Sequence, residues 1–111
     1  TKQELEAISG LYETEKTALD EKVIHQHYFL GGCDWYAAEY GPKERTFFGY
    51  TILNNAQQNA EWGYFGYDEL RELKTRQGFE VDRDIYWAPK PASEIDKIRA
   101  SYQTRFGDES Q

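Results

Sequence analysis

From Lys22 to Phe65 the chain reads KVIHQHYFLGGCDWYAAEYGPKERTFFGYTILNNAQQNAEWGYF. This stretch is rich in β-branched and aromatic residues, and clusters of glycine, proline or asparagine interrupt it, as is typical of short strands joined by turns. Parallel strands need long crossovers, and these connections are short, so an antiparallel meander is expected. The pattern predicts four strands, at Lys22–Leu30, Asp34–Tyr40, Arg45–Leu53 and Ala60–Phe65.

Helical patterns flank the strands. Thr1 and Glu4 have the spacing of a capping box, and apolar residues recur at helical intervals as far as Tyr12, which predicts an N-terminal helix. Gly66 can cap a short middle helix, and Ser93 a C-terminal helix with apolar residues along one face. The sequence therefore predicts an α+β fold, in which a four-stranded antiparallel meander is combined with an N-terminal, a short middle and a C-terminal helix.

The 111 residues fit a single domain over residues 1–111, with 107–111 as a frayed tail, since no linker or internal repeat interrupts them. Aromatic residues make up 16% of the chain and must supply much of its core. The single cysteine excludes an intrachain disulfide. No apolar run approaches the length of a membrane span and no signal pattern opens the chain, so we expect no membrane association and a cytoplasmic location.

The net charge is −7, from 20 acidic and 13 basic residues. Because such a chain repels phosphate backbones, direct nucleic-acid binding is not expected. Two partner classes fit the charge: a basic protein surface, or a nucleic-acid-binding protein whose groove the domain occupies as a mimic. The simpler alternative is that the charge only keeps the protein in solution.

The common catalytic and cofactor motifs are absent from the sequence. It contains no phosphate-binding glycine loop, no G-x-G-x-x-G, no G-x-S-x-G and no paired Cys-x-x-Cys. We therefore assign no catalytic residue and no cofactor, and a non-enzymatic role is favoured.

One metal site is conceivable, formed by His25, His27 and Cys33. Strand residues two apart point to one face, so both imidazoles could reach one ion, with the thiol as a third ligand from the following turn. Either histidine could instead serve as a base for a nucleophilic Cys33. The alternative is structural, because Val23 and Phe29 flank the histidines on that face and would leave them as half-buried neutral rings.

An aromatic and acidic patch is the main candidate site. Alternation places Trp35 and Glu39 on one face of their strand. Gly49 and Gly63 would leave a shallow floor on neighbouring strands, with Glu61 at its side. The alternative is that helices cover this face and pack closely against the glycines.

Arg83 and Asp84 extend this patch hypothesis. They lie in an extended segment from Val81 to Trp87, where adjacent side chains point to opposite faces, so each needs its own partner. Arg83 could bind a ligand, or it could make a structural bridge to Glu39 or Glu61.

A series of short motifs resembles one known family, that of Domain of Unknown Function 2958, small proteins of bacteria and their mobile elements. The order and spacing hold from about Leu5 to Ile95, with departures at 31–33 and 54–59. The matching residues are Leu11-Tyr12, His27-Tyr28-Phe29, Trp35-Tyr36 with Glu39, Thr46-Phe47-Phe48-Gly49, Gly63-Tyr64-Phe65, Glu69-Leu70, and Arg83-Asp84-Ile85-Tyr86-Trp87 with Pro89-Lys90-Pro91.

The resemblance implies a class and no mechanism, because the family has no established activity. We expect a small protein-binding or accessory domain in a bacterial or mobile-element context, which fits the size, the acidity and the aromatic content. One alternative is a small-ligand binder or hydrolase-like enzyme that uses the patch; another is a nucleic-acid mimic that inhibits a host defence enzyme. The oligomeric state stays open.

Overall fold

The computed structural model describes Leu5 and residues 8–106. In this part of the chain the backbone forms a five-stranded antiparallel sheet and a separate two-stranded sheet. The strands are β1 (Val23–Ile24), β2 (Gln26–Leu30), β3 (Cys33–Gly41), β4 (Thr46–Ile52), β5 (Glu61–Gly66), β6 (Asp82–Arg83) and β7 (Lys90–Pro91). The larger sheet has the order β5-β4-β3-β2-β6, and β1 pairs with β7.

Short connections join β2, β3, β4 and β5 as consecutive neighbours, and the one between β4 and β5 contains a 3₁₀ turn. Gly31, in the turn between β2 and β3, has a φ of 56°, a conformation that glycine adopts without a steric penalty. Asn54 and Asn55, after β4, have φ values of 51° and 57°, which asparagine tolerates better than most residues. These four strands correspond to the four that the sequence predicts.

The predicted four-stranded meander with three helices is nevertheless wrong. A fifth strand, β6, extends the sheet beyond β2, with Arg83 opposite Tyr28 and Asp82 opposite Phe29. The predicted strand from Lys22 to Leu30 is divided at His25, and its first part pairs outside the main sheet with β7. β6 lies within the segment Val81–Trp87 that the sequence predicts to be extended, but residues 85–86 form a turn, and a strand of two residues is too short for an alternating pattern to show its pairing.

The predicted N-terminal helix does not extend to Tyr12. Residues 8–12 form a bend, an isolated bridge and the start of a turn. Ser9 bridges to Glu39, and the backbone N–H of Tyr40 donates to the carbonyl of Ser9 at 2.8 Å. This pairing with β3 satisfies the Ser9 carbonyl and holds the segment against the sheet. The predicted capping box at 1–4 and the predicted tail at 107–111 lie outside the described residues.

Two α-helices are described, α1 (Tyr67–Glu72) and α2 (Asp96–Phe106), in the regions of the predicted middle and C-terminal helices. The predicted cap at Ser93 is wrong, because Ser93 lies in a 3₁₀ turn and α2 begins only at Asp96. The N–H of Gly66 donates to the Glu69 carboxylate at 2.9 Å, as the sequence pattern predicts. Single 3₁₀ turns occur at Leu19–Glu21, Gln57–Asn59 and Ala92–Glu94.

The main sheet is covered on both faces, and the described residues form a hydrophobic cluster on each face. The cluster on the side of α2, the α2-side core, contains Ile24, Tyr36, Ala38, Tyr50, Ile52, Ala60, Ala92, Ile95 and Ile98. The cluster on the side of α1, the α1-side core, contains Ile8, Trp35, Ala37, Tyr40, Phe47, Phe65 and Leu70. Four of these sixteen are tyrosine or tryptophan and two are phenylalanine, so aromatic rings contribute to both clusters.

Candidate functional site

A β-bulge in β3 decides where Glu39 points. Ala37 pairs with Gly49, but Glu39 pairs with Phe48, so one residue of β3 has no partner in β4. Beyond the bulge, Tyr40 lies in the α1-side core, and Glu39 therefore lies on the opposite face. Trp35 is in the α1-side core, so the prediction that Trp35 and Glu39 share a face is wrong. Simple alternation fails here because of the extra residue.

The carboxylate of Glu39 is buried and holds the loop that follows Ser9. One oxygen accepts a hydrogen bond from the N–H of Tyr12 at 2.8 Å. The other accepts from the N–H of Thr14 at 3.2 Å and from the Thr14 hydroxyl. Burial raises the pKa of Glu39, but the hydrogen bonds from Thr14 and Tyr12 and the charge of Lys22 outweigh burial and hold it below its ordinary value. Glu39 is therefore a buried, ionised carboxylate at neutral pH.

Lys22 supplies the charge that matches Glu39. Its Nζ lies 3.6 Å from a Glu39 carboxylate oxygen, and only 5% and 4% of the two side chains is exposed. The ammonium also donates to the carbonyl and, at 2.6 Å, to the hydroxyl of Thr14, and it lies 5.6 Å from the centre of the Phe48 ring. These partners explain how a lysine is tolerated at a buried position, since a buried charge must be paired and hydrogen-bonded.

The Lys22–Glu39 pair lies at the base of an open cleft of about 340 Å³, here called the Glu39 cleft. Its rim is aromatic, because Tyr12 and Tyr64 are 57% and 59% exposed. Partial desolvation in the cleft raises the pKa of Tyr64, and the neighbouring Tyr12 and the carboxylates of Glu39 and Glu15 raise it further. The cleft is lined by Tyr12, Glu15, Thr17, Ala18, Leu19, Lys22, Glu39, Phe48 and Tyr64.

The other residues of the predicted patch are distributed over the molecule. Trp35 is buried in the α1-side core. Glu61 is exposed on β5; it and Trp35 both pair with Thr51, so β4 separates them. Gly49 does not provide a floor: a Cβ there would overlap the carbonyl oxygen of Tyr36, so this glycine allows β3 to approach closely. The predicted single patch is not formed.

Asp84 belongs to a separate polar cluster around His27. The Nε2 of His27 lies 2.8 Å from a carboxylate oxygen of Asp34, and its Nδ1 lies 3.4 Å from one of Asp84. The imidazole is stacked on Tyr36 with ring centres 4.5 Å apart. Burial raises the pKa of Asp34, but hydrogen bonds from His27 and from Lys97, at 2.8 Å, lower it below the ordinary value. The cluster ties β2 and β3 to α2 and to the loop after β6.

The three residues of the predicted metal site have different partners. His25 lies between β1 and β2, with its Nε2 3.4 Å from the Ser9 hydroxyl, and burial lowers its pKa. Cys33 accepts a hydrogen bond from the N–H of Asn54 at 3.4 Å and packs against the α1-side core, whereas His27 stacks on Tyr36 of the α2-side core. Within residues 5 and 8–106, no three His, Cys, Asp or Glu side chains are arranged to hold a metal ion.

The sequence did not reveal Lys22 and Thr14, the residues that contact Glu39 at the base of the Glu39 cleft. Lys22 reads as the polar first residue of a strand, and Thr14 lies in a polar segment that indicates a loop. The spacing between these residues carries no signal, because they meet only where the loop after Ser9 passes over β3. The exposed Tyr64, by contrast, belongs to the motif Gly63-Tyr64-Phe65 that contributes to the family resemblance.

In the described part of the chain, no helix combines the length and the apolar character that crossing a bilayer requires.

Comparison with known proteins establishes the family. No curated protein and no solved structure matches the chain. A family model described as a protein of unknown function (DUF2958) matches residues 3–101, and the chain belongs to the DUF2958 family.

Proposed function

We propose that this protein is a binding module, and that the Glu39 cleft accepts a basic side chain from a protein partner. The observation that carries the proposal is the composition of the cleft: two exposed tyrosines form its rim, and the carboxylate of Glu15 borders it beside the paired Lys22 and Glu39. The role would be that of a small accessory domain. Its bacterial or mobile-element context rests on the family resemblance alone.

The aromatic rim supports recognition of a cation. Tyr12 and Tyr64 are more than half exposed, so their rings are available to a partner side chain. Arginine guanidinium groups and lysine ammonium groups are attracted to the faces of aromatic rings, and tyrosine and arginine are enriched at protein interfaces. Leu19, which is 44% exposed, adds apolar surface for the methylene groups of a long basic side chain.

The charges of the Glu39 cleft also favour a basic side chain as the ligand. Lys22 is within ion-pair distance of Glu39, which leaves Glu15 on the rim to pair with an incoming positive charge. The net charge of −7 would also attract a basic surface at long range and speed its association. A basic partner is therefore favoured over an acidic or a neutral one.

Affinity capture with a site-directed variant tests this function. The tagged protein and its E15Q/Y64S variant are incubated with native host lysate treated with nuclease, and bound proteins are identified by mass spectrometry. We expect a stoichiometric, nuclease-resistant partner whose recovery falls about tenfold in the variant, because loss of one cation–π contact and one ion pair amounts to roughly 1.4 kcal/mol.

The matched control is E94Q/Y86S, which removes the same charge and an exposed tyrosine elsewhere on the surface; Tyr86 is 90% exposed. It should retain the partner. Equal recovery by both double variants, no partner at all, or a partner lost on nuclease treatment would each contradict the proposal. Direct binding of the isolated partner by calorimetry, at increasing salt, then measures the electrostatic contribution.

A further inference from the structure

The two edges of the main sheet differ in length. β6 forms one edge with 2 residues, whereas β5 forms the other with 6. Among the described residues, no strand pairs with the outer side of β5. Proteins commonly protect such an edge with proline, lysine or a β-bulge. β5 contains neither proline nor lysine, and its register with β4 is regular. Another strand can therefore pair with β5.

The hydrogen bonds between β4 and β5 show which residues face outward. The N–H of Tyr67 donates to the carbonyl of Arg45 at 2.9 Å, in the same register that places Gly66 opposite Thr46. Hydrogen-bonded pairs alternate with non-bonded pairs along an antiparallel ladder. The odd-numbered residues of β5 therefore bond to β4, and the even-numbered residues direct their N–H and C=O groups away from it.

Trp62 and Tyr64 supply the open backbone groups of this edge. The third even-numbered residue, Gly66, has its N–H bound by the Glu69 carboxylate at 2.9 Å, as expected of an outward-pointing donor. Within the described part of the chain, no hydrogen bond reaches the outward N–H or C=O of Trp62 or Tyr64. Two donors and two acceptors are thus available to an added strand.

The side chains at this edge lie on the same face as the Glu39 cleft. Trp62 packs against the α2-side core. Tyr64 lies opposite Phe48, which in turn lies opposite Glu39, so these three residues form a row across β5, β4 and β3. The residue of an added strand that pairs with Tyr64 would continue this row. Its Cα would lie about 5.5 Å from that of Tyr64, and its side chain would be on the same face.

A basic side chain fits the position beside Tyr64. The Tyr64 side chain is 59% exposed, so its ring is available to a guanidinium or ammonium group. The exposed Glu15 also lines the Glu39 cleft, and the charges of Glu15 and Glu39 both act on Tyr64. A basic residue paired with Tyr64 would therefore make the contacts that the proposed function requires.

We propose that the basic side chain recognised by the Glu39 cleft belongs to an extended segment of the partner, which pairs antiparallel with β5 through Trp62 and Tyr64. This inference rests on the proposed function and adds main-chain hydrogen bonds to it. Every pairing in the main sheet is antiparallel, and this pairing is slightly more stable than a parallel one. The main-chain bonds supply affinity, and the side chain beside Tyr64 supplies selectivity.

Titration of the full chain with the peptide acetyl-Thr-Val-Arg-Val-Thr-amide, followed by NMR of the backbone amides, tests the inference. We expect saturable shifts at Trp62 and Tyr64, with a dissociation constant on the order of 1 mM. The amides of Asp82–Arg83, on the opposite edge, should not shift. N-methylation of the peptide's arginine nitrogen removes the donor to the Tyr64 carbonyl and should weaken binding at least about tenfold.

N-methylation of the valine that follows the arginine is the matched control. The N–H of this valine points away from β5, so its loss should change the affinity by less than about twofold. Equal weakening by the two methylations, no saturation at about 10 mM peptide, or shifts at β6 would overturn the inference. The same shifts on raising the protein concentration without peptide would also overturn it, because a second copy of the chain would then occupy the edge.

A peptide with glutamine in place of the arginine separates this inference from the proposed function. It should bind about tenfold more weakly, since the cation contributes the contacts to Tyr64 and Glu15. Affinity that depends on the arginine but is insensitive to both methylations would support the proposed function and exclude strand pairing. Equal affinity of the glutamine peptide would contradict the proposed function, and with it the basic character of the segment.

Discussion

The Nζ of Lys22 lies 3.6 Å from a carboxylate oxygen of Glu39, and only 5% and 4% of the two side chains is exposed to solvent. The two residues come from different parts of the chain: Lys22 immediately precedes β1, and Glu39 follows the bulge in β3. Thr14 hydrogen-bonds to both of them, so the pair also anchors the loop between Ser9 and Leu19. The base of the Glu39 cleft is thus a structural element of the fold as well as part of a candidate binding surface.

The buried pair should be strongly coupled in a double-mutant cycle. Either K22M or E39Q leaves one buried polar partner unmatched and should lower the free energy of unfolding by about 3 kcal/mol. K22M/E39Q should cost less than the sum, with a coupling energy of about 2 kcal/mol, measured by urea denaturation. The exposed pair Lys74–Glu80 is the control, since its side chains are 57% and 63% exposed. A coupling in K74M/E80Q as large as that of the buried pair would contradict this prediction.

The free energy of unfolding should decrease in acid because Glu39 becomes protonated. Its pKa is lower in the folded state than its ordinary value of 4.5, so the unfolded chain takes up the proton first. Stability from this group is therefore complete above its ordinary pKa and is lost as the pH falls through the folded-state pKa. E39Q should show a shallower loss of unfolding free energy between about pH 5 and 3 than the wild type. E94Q should retain the wild-type slope; a wild-type slope in E39Q would exclude Glu39 as the source.

Two glycines on neighbouring strands should respond differently to alanine. A Cβ at Gly49 would overlap the carbonyl of Tyr36, whereas a Cβ at Gly63 has no atom within 4 Å. G49A should therefore cost at least about 3 kcal/mol, or prevent folding, because β3 and β4 cannot separate without losing their ladder. G63A should change stability by less than about 1 kcal/mol. Thermal and urea denaturation of both variants checks this, and similar effects at the two positions would refute it.

The two carboxylates that contact His27 should differ in importance. Asp34 is buried and accepts hydrogen bonds from both His27 and Lys97 at 2.8 Å. Asp84 is 30% exposed and its contact with His27 is 3.4 Å long. D34N should lower the free energy of unfolding by about 2–3 kcal/mol and D84N by less than about 1 kcal/mol. Chemical denaturation distinguishes them, and a D84N effect equal to that of D34N would mean that His27 depends on both.

Local signals in the sequence were sufficient to predict the approximate positions of β2, β3, β4 and β5 and of the two described helices. Each strand is a run of β-branched and aromatic residues bounded by turn residues, and Glu69 is at the capping position of α1. These features depend on residues that are close in sequence, so alternation, turn chemistry and capping predict them. Family membership was also recognisable from the sequence, because the motif series covers most of the chain.

Only the tertiary structure decided which residues meet. The β6 strand is found by its pairing with β2, and the bulge before Glu39 reverses the face that alternation predicts. The predicted patch was consequently divided: Glu39 lies with Lys22, Asp84 with His27, and Arg83 with Tyr28. The sequence by itself determined the acidic charge, the aromatic supply and most of the strands. The contacts that form the Glu39 cleft join residues far apart in the chain, and no local pattern encodes them.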